Sequence, residues 1–150
     1  MSIKHFFTLI LVLVLSACST TPKKKPFTGV SISEVFTDSL SIRAIVPQDA
    51  SSVWFAANKG VVGLIANKTP KLVTVQYDKK PLHFRAIAKT TSAVFILSID
   101  TPAVLYKIDI KDNEASAMQE VYLETGAGVF YDAISFWNDT EGIAIGDPID

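Results

Sequence analysis

Cysteine is nearly absent from this chain: Cys18 is the only one among 150 residues. One thiol makes no intrachain disulfide, no thiolate zinc site and no Cys-x-x-Cys redox pair. Histidine is almost as scarce. His5 and His83 are the only two, too few for a multi-histidine metal site. Arginine occurs only at Arg43 and Arg85. Charge of one sign is not in excess either, since the formal net charge is −1, and that argues against a general nucleic-acid binder. No P-loop, His-Glu-x-x-His or EF-hand pattern occurs. Gly126-Ala127-Gly128 precedes a strand pattern instead of opening a helix, so it reads as a loop and not as a dinucleotide fingerprint. His83 sits beside Pro81, Leu82 and Phe84 and reads as a strand-edge residue. No catalytic residue, metal or cofactor is therefore assigned.

The chain also lacks an apolar run long enough to span a bilayer. Phe6 to Leu15 (FFTLILVLVL) is apolar apart from Thr8. Ten helical residues rise about 15 Å, half of a hydrocarbon core of about 30 Å. With Lys4 and His5 ahead of it, the run has the form of a signal-peptide core. Leu15-Ser16-Ala17-Cys18 follows and resembles the bacterial lipobox, in which a leucine and two small residues precede the lipid-modified cysteine. The resemblance implies cleavage before Cys18, lipidation of Cys18 and anchoring to a lipid bilayer. Ser19, where an acidic residue would signal retention, resembles the outer-membrane sorting pattern and implies a cell-envelope site, at the outer membrane facing the periplasm. Residues 1–17 are then the leader and 18–29 a tether. Its STTPKKKPFT stretch holds two prolines and three consecutive lysines. These read as a solvated extended spacer, with contact between Lys23, Lys24, Lys25 and anionic headgroups as the other reading.

From residue 30 onward the pattern is of short β-branched and aromatic runs with turn residues between them. Only Asp112 to Gln119 suggests a helical turn. Three tetrapeptides recur: Ile42-Arg43-Ala44-Ile45, Phe84-Arg85-Ala86-Ile87 and Tyr131-Asp132-Ala133-Ile134. From Arg43 to Arg85 is 42 residues and from Arg85 to Asp132 is 47. A polar turn follows each (Gln48 to Ser52, Lys89 to Ser92, Asn138 to Glu141), then an apolar strand (Val53 to Ala57, Val94 to Leu97, Ile143 to Ile145). Two further strands are expected in the first two units: Gly60 to Ile65 and Leu72 to Tyr77, then Ala103 to Ile110 and Met118 to Leu123. Four antiparallel strands per unit of 40–50 residues is the pattern of a β-propeller blade. The expected fold is all-β: a propeller fragment of about two and a half four-stranded antiparallel blades over residues 30–150, with blade starts near 42, 84 and 131, after an N-terminal signal helix.

Ile42 to Gly63 (IRAIVPQDASSVWFAANKGVVG) resembles the blade of the photosystem II stability/assembly factor family, within the wider group of BNR-type propellers. The matching parts are Ile42-Arg43, Asp49 to Ser52, Trp54 and Asn58-Lys59-Gly60. Tyr131 to Asp150 (YDAISFWNDTEGIAIGDPID) resembles the bacterial members more closely still. The Asp-Gly-Gly/Trp segment that usually closes a blade is missing from both complete units. The resemblance implies a propeller and an assembly-type role with an envelope protein partner; photosystem assembly itself does not follow. The third unit stops after two strands, and rings take about four to eight blades. The chain is therefore expected to be part of a longer ring or a copy in an assembly.

Arg43, Arg85 and Asp132 share one register, and so face either the central channel or a neighbouring blade. One reading is an inter-blade ion pair of Arg85 with Asp132; the other is a charged funnel for an acidic segment of a partner. Arg43, Arg85 and Asp132 are the candidate binding residues. Asp132, Asp139, Glu141, Asp147 and Asp150 crowd the C-terminal part, where acidic residues mostly form turns. Trp54, Phe55, Phe136 and Trp137 are expected in the core between blades. The chain reads as a non-catalytic, membrane-anchored binding protein. The alternative is the front of an envelope enzyme such as a BNR-type glycosidase. Sialidases of that group need several convergent arginines, more than the two present here.

Overall fold

The computed structural model describes residues 28–35 and 39–148. The expected leader helix, Cys18 and most of the tether lie outside the described residues. Residues 28–33, the described part of a first compact unit that runs Met1–Ser33, are neither helix nor strand. The second unit, Glu34–Asp150, holds every strand found among the described residues. Among the described residues no helix is long and apolar enough to cross a membrane.

The fold is all-β. In chain order the strands are β1 (Ile42–Pro47), β2 (Ser52–Ala57), β3 (Val61–Ala66), β4 (Thr69–Thr74), β5 (Gln76–Tyr77), β6 (Lys80–Pro81), β7 (Phe84–Lys89), β8 (Ala93–Ser98), β9 (Ala103–Asp109), β10 (Gln119–Glu124), β11 (Tyr131–Phe136) and β12 (Gly142–Gly146). One 3₁₀ turn, Ala115–Ala117, falls inside the segment where the sequence suggests a helical turn. Strands β1 to β4 form one antiparallel meander, β7 to β10 a second, and β11–β12 a hairpin. The sheets do not close on themselves.

The three recurring tetrapeptides open β1, β7 and β11, the first strand of each unit. These strands pack side by side, β1 against β7 and β7 against β11. The meanders follow from local chemistry. Asn67 and Lys68 both take positive φ (49° and 67°) in the two-residue turn between β3 and β4, the twist that matches flanking strands. Gly60 turns the chain from β2 into β3 at φ +71°, where a Cβ would lie 2.1 Å from the Val75 carbonyl oxygen. Only glycine fits there.

Layering explains the apolar runs. Trp54, Ala56, Val62 and Leu64 of the first sheet meet Phe84, Val94, Ile96, Val104 and Tyr106 of the second in one buried cluster. Phe84 and Tyr106 pack edge to face, 6.2 Å between ring centres. Each large side chain so buried contributes about 1.5–3 kcal/mol. The next layer is thinner. Phe95 on the far face of the second sheet stacks on Phe136 of the hairpin at 4.2 Å and 21°. The expected place between the sheets therefore holds for Trp54 and Phe136, whereas Phe55 is buried on the other face of the first sheet with Ala57 and Val61. Trp137 differs: it is 65% exposed, because it lies one residue past the end of β11, at the turn.

Two boundaries also differ from expectation. The fourth strands are Thr69–Thr74 and Gln119–Glu124. The Asn67-Lys68 turn starts β4 three residues early. A two-rung hairpin of β5 and β6, turned by Asp78 and Lys79 at φ 47° and 63°, takes residues expected in the fourth strand.

Candidate functional site

Each unit's first strand carries a β-bulge at the same place. The register jumps between Ile42 and Ala44, between Phe84 and Ala86, and between Tyr131 and Ala133. The extra residues are Arg43, Arg85 and Asp132. A bulge leaves its extra residue out of the ladder and re-aims its side chain. The three register charges are thus structurally equivalent and gathered at one end of the first strands β1, β7 and β11.

That end is tied the same way in every unit. The first residue past the second strand donates its N–H to the carbonyl of the residue just before the first strand: Asn58 to Ser41 at 3.1 Å, Ile99 to His83 at 2.9 Å, Asp147 to Phe130 at 3.0 Å. In the first unit the tie is doubled, since the Ser41 N–H donates to Asn58 Oδ1 at 2.9 Å.

Between the first two units lies a cleft of about 270 Å³ lined by Ser41, Arg43, Asn58, His83, Arg85 and neighbours. Arg43 is exposed and makes no ion pair among the described residues. Arg85 is engaged on its other side. Its Nε lies 2.8 Å from Asp132 Oδ1, and its guanidinium carbon sits 5.4 Å from the Phe130 ring centre. The same Asp132 oxygen is buried without an aligned hydrogen bond, so the contact is one of charge and not of well-directed donation. With both side chains more than a third exposed, such a pair is worth about 0–1 kcal/mol. The ion pair of Arg85 with Asp132 expected from sequence is present. Because Arg85 and Asp132 neutralise each other, the uncompensated charge of the trio sits on Arg43. A guanidinium beside an amide and an imidazole is suited to holding a carboxylate or another small anion.

The opposite end of these first strands carries the polar turns, each closed by its own side chain. Asp49 Oδ1 accepts from the Ser51 N–H at 2.7 Å and Asp49 Oδ2 from the Ser52 hydroxyl at 2.5 Å. The Ser52 hydroxyl, followed by the Ser51 donors, holds the Asp49 carboxyl at about 2, well below its usual value. Thr90 Oγ1 accepts from the Ala93 N–H at 3.1 Å, and Asn138 Oδ1 from the Thr140 and Glu141 N–H groups, both at 2.8 Å. Neighbouring turns are laced together. Lys89 Nζ donates to the Gln48 carbonyl at 2.7 Å. The Thr91 N–H donates to Asp139 Oδ1 at 2.8 Å and its hydroxyl to Oδ2. These Thr91 donors, the hydroxyl first, hold the Asp139 carboxyl below its ordinary range.

The C-terminal acidic residues do not converge. Asp132 meets Arg85, Asp139 meets Thr91, and Glu141 accepts from the Asn138 amide at 2.6 Å and the Trp137 indole at 3.3 Å. Asp150 lies outside the described residues. Among the described residues no group of three or more His, Cys, Asp or Glu side chains is placed to hold a metal ion. Asn58 and Ser41 are members of the cleft that sequence reasoning missed. The Asn58-Lys59-Gly60 turn was visible, but nothing local told that Asn58 reaches back to Ser41. No protein-family model and no curated protein matches the chain.

Proposed function

We propose that this chain is a membrane-tethered, non-catalytic binding protein of the bacterial cell envelope. Its sheets are blades of β-propeller type, and the bulge end of the inner strands receives an acidic segment of a protein partner in an assembly-type role. Cys18, in its Leu-Ser-Ala-Cys setting, supplies the lipid anchor at the outer membrane, on the periplasmic side. The observation that carries the reading is the triple bulge: the same backbone irregularity sets Arg43, Arg85 and Asp132 at one rim, and the cleft beside Arg43 and Arg85 has room for a carboxylate. The propeller reading is supported by the adjacent first strands and by the stacking of sheet on sheet. Electrostatic recognition of this kind gives salt-sensitive binding.

The test is anisotropy of a fluorescent glutamate-rich peptide titrated with the purified full chain. Arg43→Glu is expected to weaken binding about tenfold or more. Lys111→Glu, with the same change of net charge just beyond β9, is expected to leave it nearly unchanged. Equal affinities for the two variants overturn the proposed site.

A further inference from the structure

Two clefts meet where the chain enters β7, and His83 stands between them. Leu82 and Phe84 are buried, and His83 between them is exposed. Alternation along extended chain therefore turns its side chain away from the core. The backbone fixes its place, since its carbonyl accepts the Ile99 N–H at 2.9 Å. His83 and Ile99 line the cleft that holds Arg43 and Arg85, and both also line a second cleft of about 260 Å³. The second cleft lies between the β5–β6 hairpin and the turn from β8 to β9, with Tyr77, Asp78, Lys80 and Asp100 in its walls. Both clefts are built wholly from residues 41–102, within the first two repeats.

The two sides differ in charge. Arg43 and Arg85 line the first cleft, and Asp132 compensates only Arg85. Asp78, Asp100 and Lys80 line the second, together with the Tyr77 phenol. The charged and titratable groups around His83 are thus Arg43 of β1, Arg85 of β7, Tyr77, Asp78 and Lys80 of the β5–β6 hairpin, and Asp100 of the turn after β8. His83 itself makes no ion pair among the described residues. Of the side-chain types present, imidazole alone ordinarily changes charge between pH 5 and 8. A cation there is the third in the first cleft, and the two carboxylates of the second offset its repulsion from the arginines. The equivalent residues of the other repeats, Ser41 and Phe130, make the same backbone tie and carry no charge. The arrangement belongs to this one junction.

We infer that His83 is a proton-controlled third cation of the Arg43–Arg85 cleft, so that the acidic segment is held more tightly as pH falls from 8 to 6. The inference rests on the reading of that cleft as an anion site. A carboxylate bound beside an imidazole favours the imidazolium. Linkage is reciprocal, so a proton on His83 favours the carboxylate by the same factor. Glutamate side chains ordinarily ionise near about 4.3, so the segment keeps its own charge through this window. The coupling is electrostatic and fades as salt rises.

The test titrates the glutamate-rich peptide with the full chain at pH 8 and at pH 6, at one low ionic strength. The parent is expected to bind about fivefold more tightly at pH 6. His83→Gln is expected to bind alike at both values, near the parent's pH 8 affinity. His83→Lys, charged throughout, is expected to bind alike at both, near the parent's pH 6 affinity. The side chain is exposed, so both variants are expected to keep the parent's melting temperature. Arg43→Glu weakens binding at both values and so reports on the cleft itself. A parent whose affinity is flat in pH, or a gain at pH 6 that persists in His83→Gln, overturns the inference while the loss in Arg43→Glu leaves the anion site standing. No binding by the parent at either pH, or equal binding by the parent and Arg43→Glu, overturns both.

Discussion

Strands β8 and β12 hold the same place in their units, yet every residue of β8 is buried and every residue of β12 is exposed. Local construction does not explain it. Both follow a bulged first strand and a turn closed by a side chain, and both end on a bond back to the residue before the first strand. What differs is company. β8 lies between β7 and β9, with Val94 and Ile96 against the first sheet and Phe95 against the hairpin. β12 has β11 alone. Sequence-local rules are enough to make the hairpin; burial comes from neighbouring strands and layers, which is why a lone hairpin is marginal in water.

The largest expected effect comes from substituting equivalent positions. Leu97 is 2% exposed and Ile145, its counterpart, is 56% exposed. Denaturant unfolding of dilute, monomeric protein is expected to show Leu97→Ala losing about 2–5 kcal/mol and Ile145→Ala within about 0.5 kcal/mol of the parent. Similar losses would break the contrast, since they would mean the hairpin is packed as firmly as the second sheet.

A smaller effect is expected where the two regions join. Asp139 receives both the N–H and the hydroxyl of Thr91. Asp139→Ala removes that tie while leaving Phe95 on Phe136. Amide exchange of residues 131–146 is expected to quicken with little change in β8 and β9. Uniform quickening across both would show that they open as one unit.

Acid gives the smallest effect and sharpens the comparison at the turns. Asp49 sits at about 2, against an ordinary 3.8, chiefly through the Ser52 hydroxyl. A depressed folded-state value stabilises the turn above the unfolded pKa, and that contribution is lost as pH falls through the folded value. The first turn is thus expected to hold from neutral pH to about 4 and to loosen between there and about 2. Asp139, lowered by Thr91, ties the hairpin in the same sense. Carboxyl NMR titration checks both; an Asp49 midpoint near 3.8 would show the turn unformed in solution.

The repeat was legible in the sequence because its marks are local: a large apolar residue, a charge, Ala-Ile, a polar turn and an apolar run. The first two strands of every unit fall where that pattern places them. The fourth strand of the first repeat starts earlier than the pattern suggests because Asn67-Lys68 and Asp78-Lys79 turn through positive φ without glycine, so the usual Asn-Gly mark is missing, whereas that of the second repeat falls within one residue of its expected place. Trp137 reads as core because aromatic residues usually are, although its position corresponds to Gln48 and Thr90, where the ladder ends. At the site, the shared register of Arg43, Arg85 and Asp132 was readable. The bulges were not, since a bulge is a relation between two strands. Nor was the meeting of Asn58 with Ser41, 17 residues apart.

The triple bulge has a consequence for substitution. A residue left out of the ladder answers to backbone geometry and not to a cross-strand partner. The three positions already carry both signs of charge on one repeated backbone: Arg43, Arg85, Asp132. A substitution at the bulge rewrites one repeat's charge without disturbing the pairing that holds the sheet. The bulge positions are the part of this molecule where surface charge changes at least cost to the sheet.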